Sequence, residues 1–338
     1  MRQRCLGRSG ISVSEICLGT MTFGSMADEA TSTACLDMAY DAGVDFIDVA
    51  EIYPVPPDRK WAGASETICG KWLADKPRDS LVVASKVAGP TGGWFRGPVR
   101  EGKNVLDRHN IERAVDDSLR RLRTDYIDLY QTHWPDPNVP IEATLEALDR
   151  LVEAGKVRAV GCSNQDAHGL MKSLWMSDRH GLVRYETIQN SFSIMQRRFE
   201  DDLAKICREE QVQLLPYSPI GGGVLSGKYL GGEWPAGARF SQYREGDTRT
   251  RTMTTRFVND RTLATAARVA EIAGDCGLSP VTFAVAWTLT RDFVGSTLIG
   301  VTSVEQLGEH IAAADAKIPA DALAAVDALS KEIRHPMG

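Results

Sequence analysis

The sequence predicts an α/β protein folded as a (β/α)8 barrel, and three observations carry that expectation. Short apolar runs alternate with longer segments of helical spacing almost from end to end. There are eight of the short runs. No Pro/Gly/Ser-rich linker divides the 338 residues, so 1–338 reads as a single domain, with about 42 residues for each βα unit. Strands alternating with helices imply parallel pairing through right-handed crossovers. A doubly wound open sheet is the competing architecture, and the count of eight units disfavours it.

Residues 3–14 read as a hairpin ahead of the barrel. The strand runs are 16–21, 46–50, 81–87, 126–133, 157–163, 187–191, 213–218 and 297–301. Each is apolar or β-branched and bounded by Gly, Pro or Asn. Between them, 31–42 places Ala34, Cys35, Met38, Ala39 and Ala42 on one helical face. Segment 110–122 does the same with Ile111, Ala114, Val115, Ser118, Leu119 and Leu122, with Asn110 as its N-cap. Segment 141–154 stops at Gly155, a natural residue just past a helix end. Segments 303–314 and 320–333 complete the helices, and the extra length goes into long loops after strands 3 and 7, at 88–107 and 219–257.

Composition narrows the function. Lys and Arg number 39 against 45 Asp and Glu, a net charge of −6, and 43% of residues are hydrophobic. That excludes collagenous, disordered and disulfide-scaffold classes, and it supplies no basic footprint for nucleic acid. No apolar run approaches the roughly 20 residues of a membrane span, and the first ten residues lack a signal-peptide pattern. Seven scattered cysteines without a C-x-x-C pair read as reduced thiols, so the expected compartment is cytoplasmic. The sequence does not fix an oligomeric state.

In a barrel of this kind the active site lies at the C-terminal ends of the strands. Strand 2 runs into Asp48, Glu51 and Tyr53; strand 3 carries Lys86, and strand 4 ends at His133. Strand 5 ends at Ser163 and Asn164, strand 6 offers Gln189, and strand 7 Tyr217 and Ser218. A lysine inside the apolar run Val83-Ala-Ser-Lys-Val87 needs a partner, because an unpaired buried ammonium is costly. Asp48 on the neighbouring strand is the natural one. Singly, Asp48 could cap a loop, His133 could be a hydrogen-bonded core residue and Tyr53 a packing aromatic. Jointly, at the ends of three consecutive strands, they suit one reaction.

Reducing a carbonyl by hydride needs a proton donor at the developing alkoxide, and tyrosine can serve. An ammonium about 4 Å away contributes about 4 kcal/mol at an effective dielectric of about 20. That predicts a Tyr53 phenol pulled down from the ordinary value of about 10 towards neutrality. Asp48 keeps Lys86 charged, and His133 orients the substrate oxygen.

At these residues the sequence resembles the aldo-keto reductases, in particular the bacterial Tas-like branch related to potassium-channel β-subunits. The carriers are Leu18-Gly-Thr-Met-Thr-Phe-Gly24, Phe46-Ile-Asp-Val-Ala-Glu-Ile-Tyr-Pro-Val-Pro-Pro57, Val83 to Val87 and Asp125-Tyr-Ile-Asp-Leu-Tyr-Gln-Thr-His-Trp-Pro135. Gly161-Cys-Ser-Asn164, Gln189-Asn190 and Pro216-Tyr-Ser-Pro219 follow in order. The resemblance implies reduction of aldehydes or ketones with a nicotinamide cofactor, NADPH by family habit with NADH possible, bound by the barrel itself. The family's catalytic tetrad falls on Asp48, Tyr53, Lys86 and His133. In the channel-subunit relatives the last position is often Asn, so His133 favours an enzyme over the alternative of a redox-sensing regulatory subunit.

The same resemblance puts the carboxamide on Ser163, Asn164 and Gln189, Tyr217 against the nicotinamide, and Gly19, Thr20 and Met21 beside the cofactor near strand 1. It runs the pyrophosphate along Ser218, Pro219, Ile220, Gly221 and Gly223, with Lys228 and Arg239 following, and the adenosine end along Gly300, Thr302, Gln306 and Glu309. His310 stands where the family usually has Asn. Val301 and Gln306 stand where many relatives carry a cation for the 2′-phosphate, which leaves selectivity over NADH open.

Other motifs point elsewhere and fail. Residues 222–228 fit G-x-x-x-x-G-K, but Tyr229 stands where a P-loop needs Ser or Thr, and no helix pattern follows. A metal-dependent barrel hydrolase would want several inward histidines, and only His133 of the six ends a strand. Arg239, Arg244, Arg249, Arg251 and Arg256 crowd the strand-7 loop, read as solvated and flexible apart from Arg239. Trp134, and the loop pair Trp94 and Phe95, are candidates to wall a small-molecule carbonyl pocket.

Overall fold

A computed structural model describes residues 1–91 and 97–337. Trp94 and Phe95 lie outside the described residues. Strands β1 (Gln3–Cys5) and β2 (Ser12–Ser14) pair antiparallel as the expected hairpin. Eight parallel strands follow: β3 (Ile16–Gly19), β4 (Phe46–Asp48), β5 (Val82–Val87), β6 (Ile127–Thr132), β7 (Val157–Ser163), β8 (Tyr185–Gln189), β9 (Gln213–Leu214) and β10 (Thr297–Gly300). Each pairs with its sequence neighbour, and β10 pairs with β3. The remaining seam is joined by Leu214 N to Phe293 O at 2.8 Å, Gly295 N to Leu214 O at 2.9 Å and Leu298 N to Pro216 O at 2.9 Å, which closes the barrel.

Helices α1 (Glu29–Asp41), α2 (Ala64–Leu73), α3 (Arg108–Leu122), α4 (Ile141–Glu153), α5 (Ala167–His180) and α6 (Leu203–Glu210) fill the crossovers. α7 (Arg239–Arg244), α8 (Thr248–Phe257), α9 (Asp260–Asp275) and α10 (Pro280–Leu289) lie between β9 and β10, and α11 (Leu307–Ile311) and α12 (Ala320–Glu332) close the chain. α3 starts two residues earlier than its spacing predicts. Asp107 is the cap, accepting from the Asn110 amide, so Asn110 is a first-turn residue rather than the N-cap. The 219–257 stretch is largely helical rather than a flexible loop. Phe240 and Phe257 stack across α7 and α8 with ring centroids 5.0 Å apart, and Gly222 fits against both only because it has no side chain.

Two cores follow from strand alternation. Outward residues such as Ile47, Val83, Tyr130 and Val160 pack under the helices. Inward residues Phe46, Val82, Ala84, Leu129, Ala159, Leu215 and Leu298 fill the barrel, and the hairpin's Leu6, Ile11 and Val13 join them from below. The hairpin is fastened by Arg4, which donates to Val294 O at 2.7 Å and Leu289 O at 2.8 Å and pairs with buried Glu15. Among the described residues no single helix is long and apolar enough to cross a membrane.

Candidate active site

The inward parity that fills the barrel also sets the site. Two residues beyond Phe46, Ala84, Ala159, Thr187 and Leu215 stand Asp48, Lys86, Gly161, Gln189 and Tyr217; beyond Leu129 come Gln131 and then His133. The apolar plug therefore gives way to a polar layer at the strands' C-terminal ends.

Lys86 is fully buried, and its three ammonium protons have three acceptors. It pairs with Asp48 Oδ1 and donates to Val49 O at 2.9 Å and to the Tyr53 phenol oxygen at 3.3 Å. The other Asp48 oxygen accepts from Gln189 Nε2 at 2.9 Å and Gln131 Nε2 at 3.2 Å. Gln131 was missed in the sequence; its signal was its inward position in register with Lys86. It fits because its neighbour in register is Gly161, where a Cβ would lie 2.3 Å from Thr187 Oγ1 and 3.3 Å from Gln131 Cγ.

Because Lys86 can only donate, Tyr53 accepts from it and keeps its own proton for another acceptor. Burial pushes the phenol above its ordinary pKa, Lys86 pulls it down, and Asp48 raises it again; the net direction is up. This corrects the sequence expectation of a phenol drawn towards neutrality, which counted the ammonium and omitted desolvation. The Lys86 ammonium is desolvated too, yet Asp48 and Tyr53 hold its pKa above the ordinary value.

The His133 ring stands edge-on to Tyr53, with centroids 5.7 Å apart at 80°, and stacks on Trp134 at 3.9 Å. Burial, then the Lys86 charge, hold its pKa well below the usual histidine range, so it is neutral. Its Nδ1 is buried without a partner. Val55, Val99 and Trp134 pack around Tyr53 and Ala88. Below them Glu51, also buried, accepts from Ala88 N at 2.6 Å and takes both terminal nitrogens of Arg100 at 2.6 and 2.7 Å. That fork ties the loop after β5 to the loop carrying Tyr53, and the pairing was not foreseen from the sequence.

The remaining expected residues fall into four groups. Around β7–β9, Ser163 Oγ donates to Gln189 O at 2.7 Å, Asn164 Nδ2 to His133 O at 2.8 Å, and the Tyr217 hydroxyl to Asn164 Oδ1 at 2.9 Å. Near β3, Gly19 and Met21 flank Thr20, whose hydroxyl is spent on Asp48 O at 2.9 Å and on Ser65. After β9, Ser218, Gly221 and Gly223 take positive φ of 58°, 57° and 99° and, with Pro219 and Ile220, coil the chain into a tight turn. The Gly221 and Gly223 amides are spent within it, on Ser218 O and Ile220 O.

Gly223 makes room for Lys228, whose ammonium nitrogen would lie 3.0 Å from a Cβ there. Burial lowers the Lys228 pKa, and no acid among the described residues pairs with it. Arg239 Nε and His310 Nε2 are likewise buried without partners, and Lys228 and His310 are close enough to repel. Gly300, Thr302, Gln306 and Glu309 lie at the surface end of β10 and α11, with Gln306 turned onto the Thr302 amide at 3.0 Å. An unneutralised lysine, an orphan guanidinium nitrogen and an orphan imidazole nitrogen are a donor set that fits a phosphate-bearing dinucleotide. Among the described residues no cluster of His, Cys, Asp or Glu has metal-holding geometry.

Sequence comparison supplies the class of this closed eight-stranded barrel, an oxidoreductase. The pattern of the Aldo/keto reductase family matches residues 15–331, and the chain belongs to that family, which uses nicotinamide cofactors. It is 40% identical to Protein tas of Escherichia coli K12, over 99% of both chains. It is 32% identical to the uncharacterized oxidoreductase YrpG of Bacillus subtilis, covering 96% of this chain and 94% of that one. A probable voltage-gated potassium channel subunit beta of Oryza sativa is 31% identical, over 93% and 92%.

Proposed function

We propose that the protein reduces aldehydes or ketones to alcohols with NADPH, Tyr53 acting as general acid. The observation that carries this reading is the buried relay from Asp48 through Lys86 to the Tyr53 oxygen, beside a neutral His133. When bound, the nicotinamide supplies a hydride. Ser163, Asn164, Gln189 and Tyr217 would hold its ring end; Ser218, Pro219, Ile220, Gly221 and Gly223 its pyrophosphate; and Lys228, Arg239 and His310 the phosphate and base at the far end.

The chain's own residues then manage one proton. Burial keeps Tyr53 protonated at rest. As negative charge gathers on the carbonyl oxygen, the phenol gives up its proton, and the resulting phenolate faces Lys86 at 3.3 Å. That attraction is about 5 kcal/mol at an effective dielectric of about 20. It arises only as the proton moves, which is where stabilisation accelerates a reaction. Asp48 holds the ammonium in place, and His133 donates to the substrate oxygen without carrying charge.

Tyr53→Phe tests the assignment. Loss of a general acid costs about 10²–10⁴ in rate, while NADPH binding, read by tryptophan quenching, should stay near the parental value. Turnover at the parental rate would remove Tyr53 from this role. The rice relative's name favours one other reading, a cofactor-binding regulatory subunit; a parental protein that binds NADPH and turns over no aldehyde or ketone would support it.

A further inference from the structure

The loops after β4 and β5 and the first turns of α3 border an open pocket of about 540 Å³ lined by Arg59, Arg100, Lys103 and Arg113. Among its lining residues the one acid is Glu101. Pro98 and Arg100 line it while Val99, between them, packs towards Tyr53, so the segment 98–100 is a wall between this pocket and the candidate active site. The pocket is a separate place.

Its charges are unequally satisfied. Arg59 pairs with Glu101, and Arg100 with Glu51. Lys103 and Arg113 are exposed and have no ion-pair partner among the described residues. Asp107, which caps α3, is occupied through Asn110, and on the helix itself Glu112, Asp116 and Asp117 pair with Arg108, Lys156 and Arg120. The Arg100 side chain is only 8% exposed, and both its terminal nitrogens reach Glu51, yet its Nε is buried with no partner. Two exposed cations without an ion-pair partner and a buried orphan guanidinium N–H, all on residues lining one open pocket, attract a compact anion carrying close to two charges.

We propose that this pocket binds a phosphate group, with Lys103 and Arg113 supplying the charge and Arg100 a fixed donor. A phosphate monoester carries about −1.5 to −2 at pH 7 and three acceptor oxygens, which matches that set. A carboxylate brings half the charge. The phosphate belongs either to free inorganic phosphate or to a phosphorylated small molecule, and the proposal does not depend on how Tyr53 acts.

Isothermal titration of the full chain in phosphate-free buffer, at constant ionic strength, tests it with inorganic phosphate and with glycerol 3-phosphate. Saturable binding of at least one is expected. The double variant Lys103→Gln/Arg113→Gln should weaken it tenfold or more, with an unchanged far-UV melting curve because both side chains are exposed. Lys228→Gln controls for phosphate at the dinucleotide site and should leave this binding intact. Tighter binding of the ester assigns the site to a phosphorylated molecule; tighter binding of phosphate assigns it to the free anion. No saturable binding of either overturns the proposal. So does binding that survives the double variant, or that disappears with Lys228→Gln.

Discussion

Replacing Asp48 by Asn removes the countercharge of Lys86 and one of the two oxygens that accept from Lys86, Gln131 and Gln189, while the shape is kept. Lys86 is 0% exposed, so its ammonium must then stay charged in a dry interior or lose its proton. Losing it sets a ceiling on the cost. An unfolded lysine titrates near 10.4, so holding it neutral at pH 7 costs about 4.5 kcal/mol, and at pH 9 about 2 kcal/mol. The ceiling at pH 7 agrees with the 3–5 kcal/mol typical of breaking a buried pair.

The pH dependence has a definite sign. In the parent the Lys86 pKa is raised, so its stabilisation is complete below the unfolded value and constant from pH 7 to 9. In the variant the folded pKa falls below the unfolded one, the unfolded chain binds more protons, and stability rises with pH. Urea unfolding followed by circular dichroism should show a deficit of about 3–4.5 kcal/mol at pH 7 that shrinks by about 1.4 kcal/mol per pH unit. A deficit below about 1 kcal/mol at pH 7, or one that is flat from pH 7 to 9, would refute the assignment of Asp48 as the group that makes Lys86 tolerable.

Three further outcomes follow from the same geometry. Gly161→Ala forces a methyl group to within 2.3 Å of Thr187 Oγ1 and 3.0 Å of its carbonyl oxygen; it should cost about 1–3 kcal/mol in urea unfolding, and an unchanged midpoint would count against the packing described. Glu51→Gln leaves Arg100 half-partnered at 8% exposure, with an expected loss of about 3–5 kcal/mol and faster proteolysis in the 88–107 loop than in the parent. Lys228→Met should weaken NADPH binding by roughly 10- to 100-fold, the worth of one charge-assisted hydrogen bond of about 1.5–3 kcal/mol. Fluorescence titration with NADPH and NADH reads it, and equal loss for both would place Lys228 at the pyrophosphate rather than the 2′-phosphate.

The strands, and the cluster of Asp48, Lys86 and His133 at their ends, were legible in the sequence because inward positions recur with period two, whereas Tyr53 stands in the loop beyond β4. Asp48 and Lys86 continue inward positions that are apolar one step earlier, and His133 follows Leu129 by two steps through Gln131, so a chain that shows its barrel core also shows where the core stops. Where the pattern weakens, the reading slips. β8 begins at Tyr185, two residues before the expected run, because Glu186 interrupts the apolar sequence. α7 and α8 were missed because polar residues dominate them, Arg, Ser and Gln in α7 and Thr and Arg in α8, leaving two apolar or aromatic residues in each to declare a face. The rise of the Tyr53 pKa could not be read from neighbours along the chain, since it depends on how completely the barrel mouth excludes water. Nor could the Glu51–Arg100 fork, which joins residues 49 positions apart through two loops.

The hairpin beneath the barrel places a constraint on how the chain reaches its fold. Arg4 is held by carbonyls of Leu289 and Val294, Ser14 O accepts from Ser296, and Glu15 O accepts from Thr297. These contacts span more than 280 positions, so the floor of the barrel and the seam beside it form only after residue 297 has emerged from the ribosome. Until then the inward faces of β3 and β4 have no complete partner, and contacts of such long range form slowly. The interval in which inward Cys17 and Phe46 wait exposed is when this protein is most open to aggregation, and co-expressed chaperones should raise its soluble yield through that interval rather than through any gain in native stability.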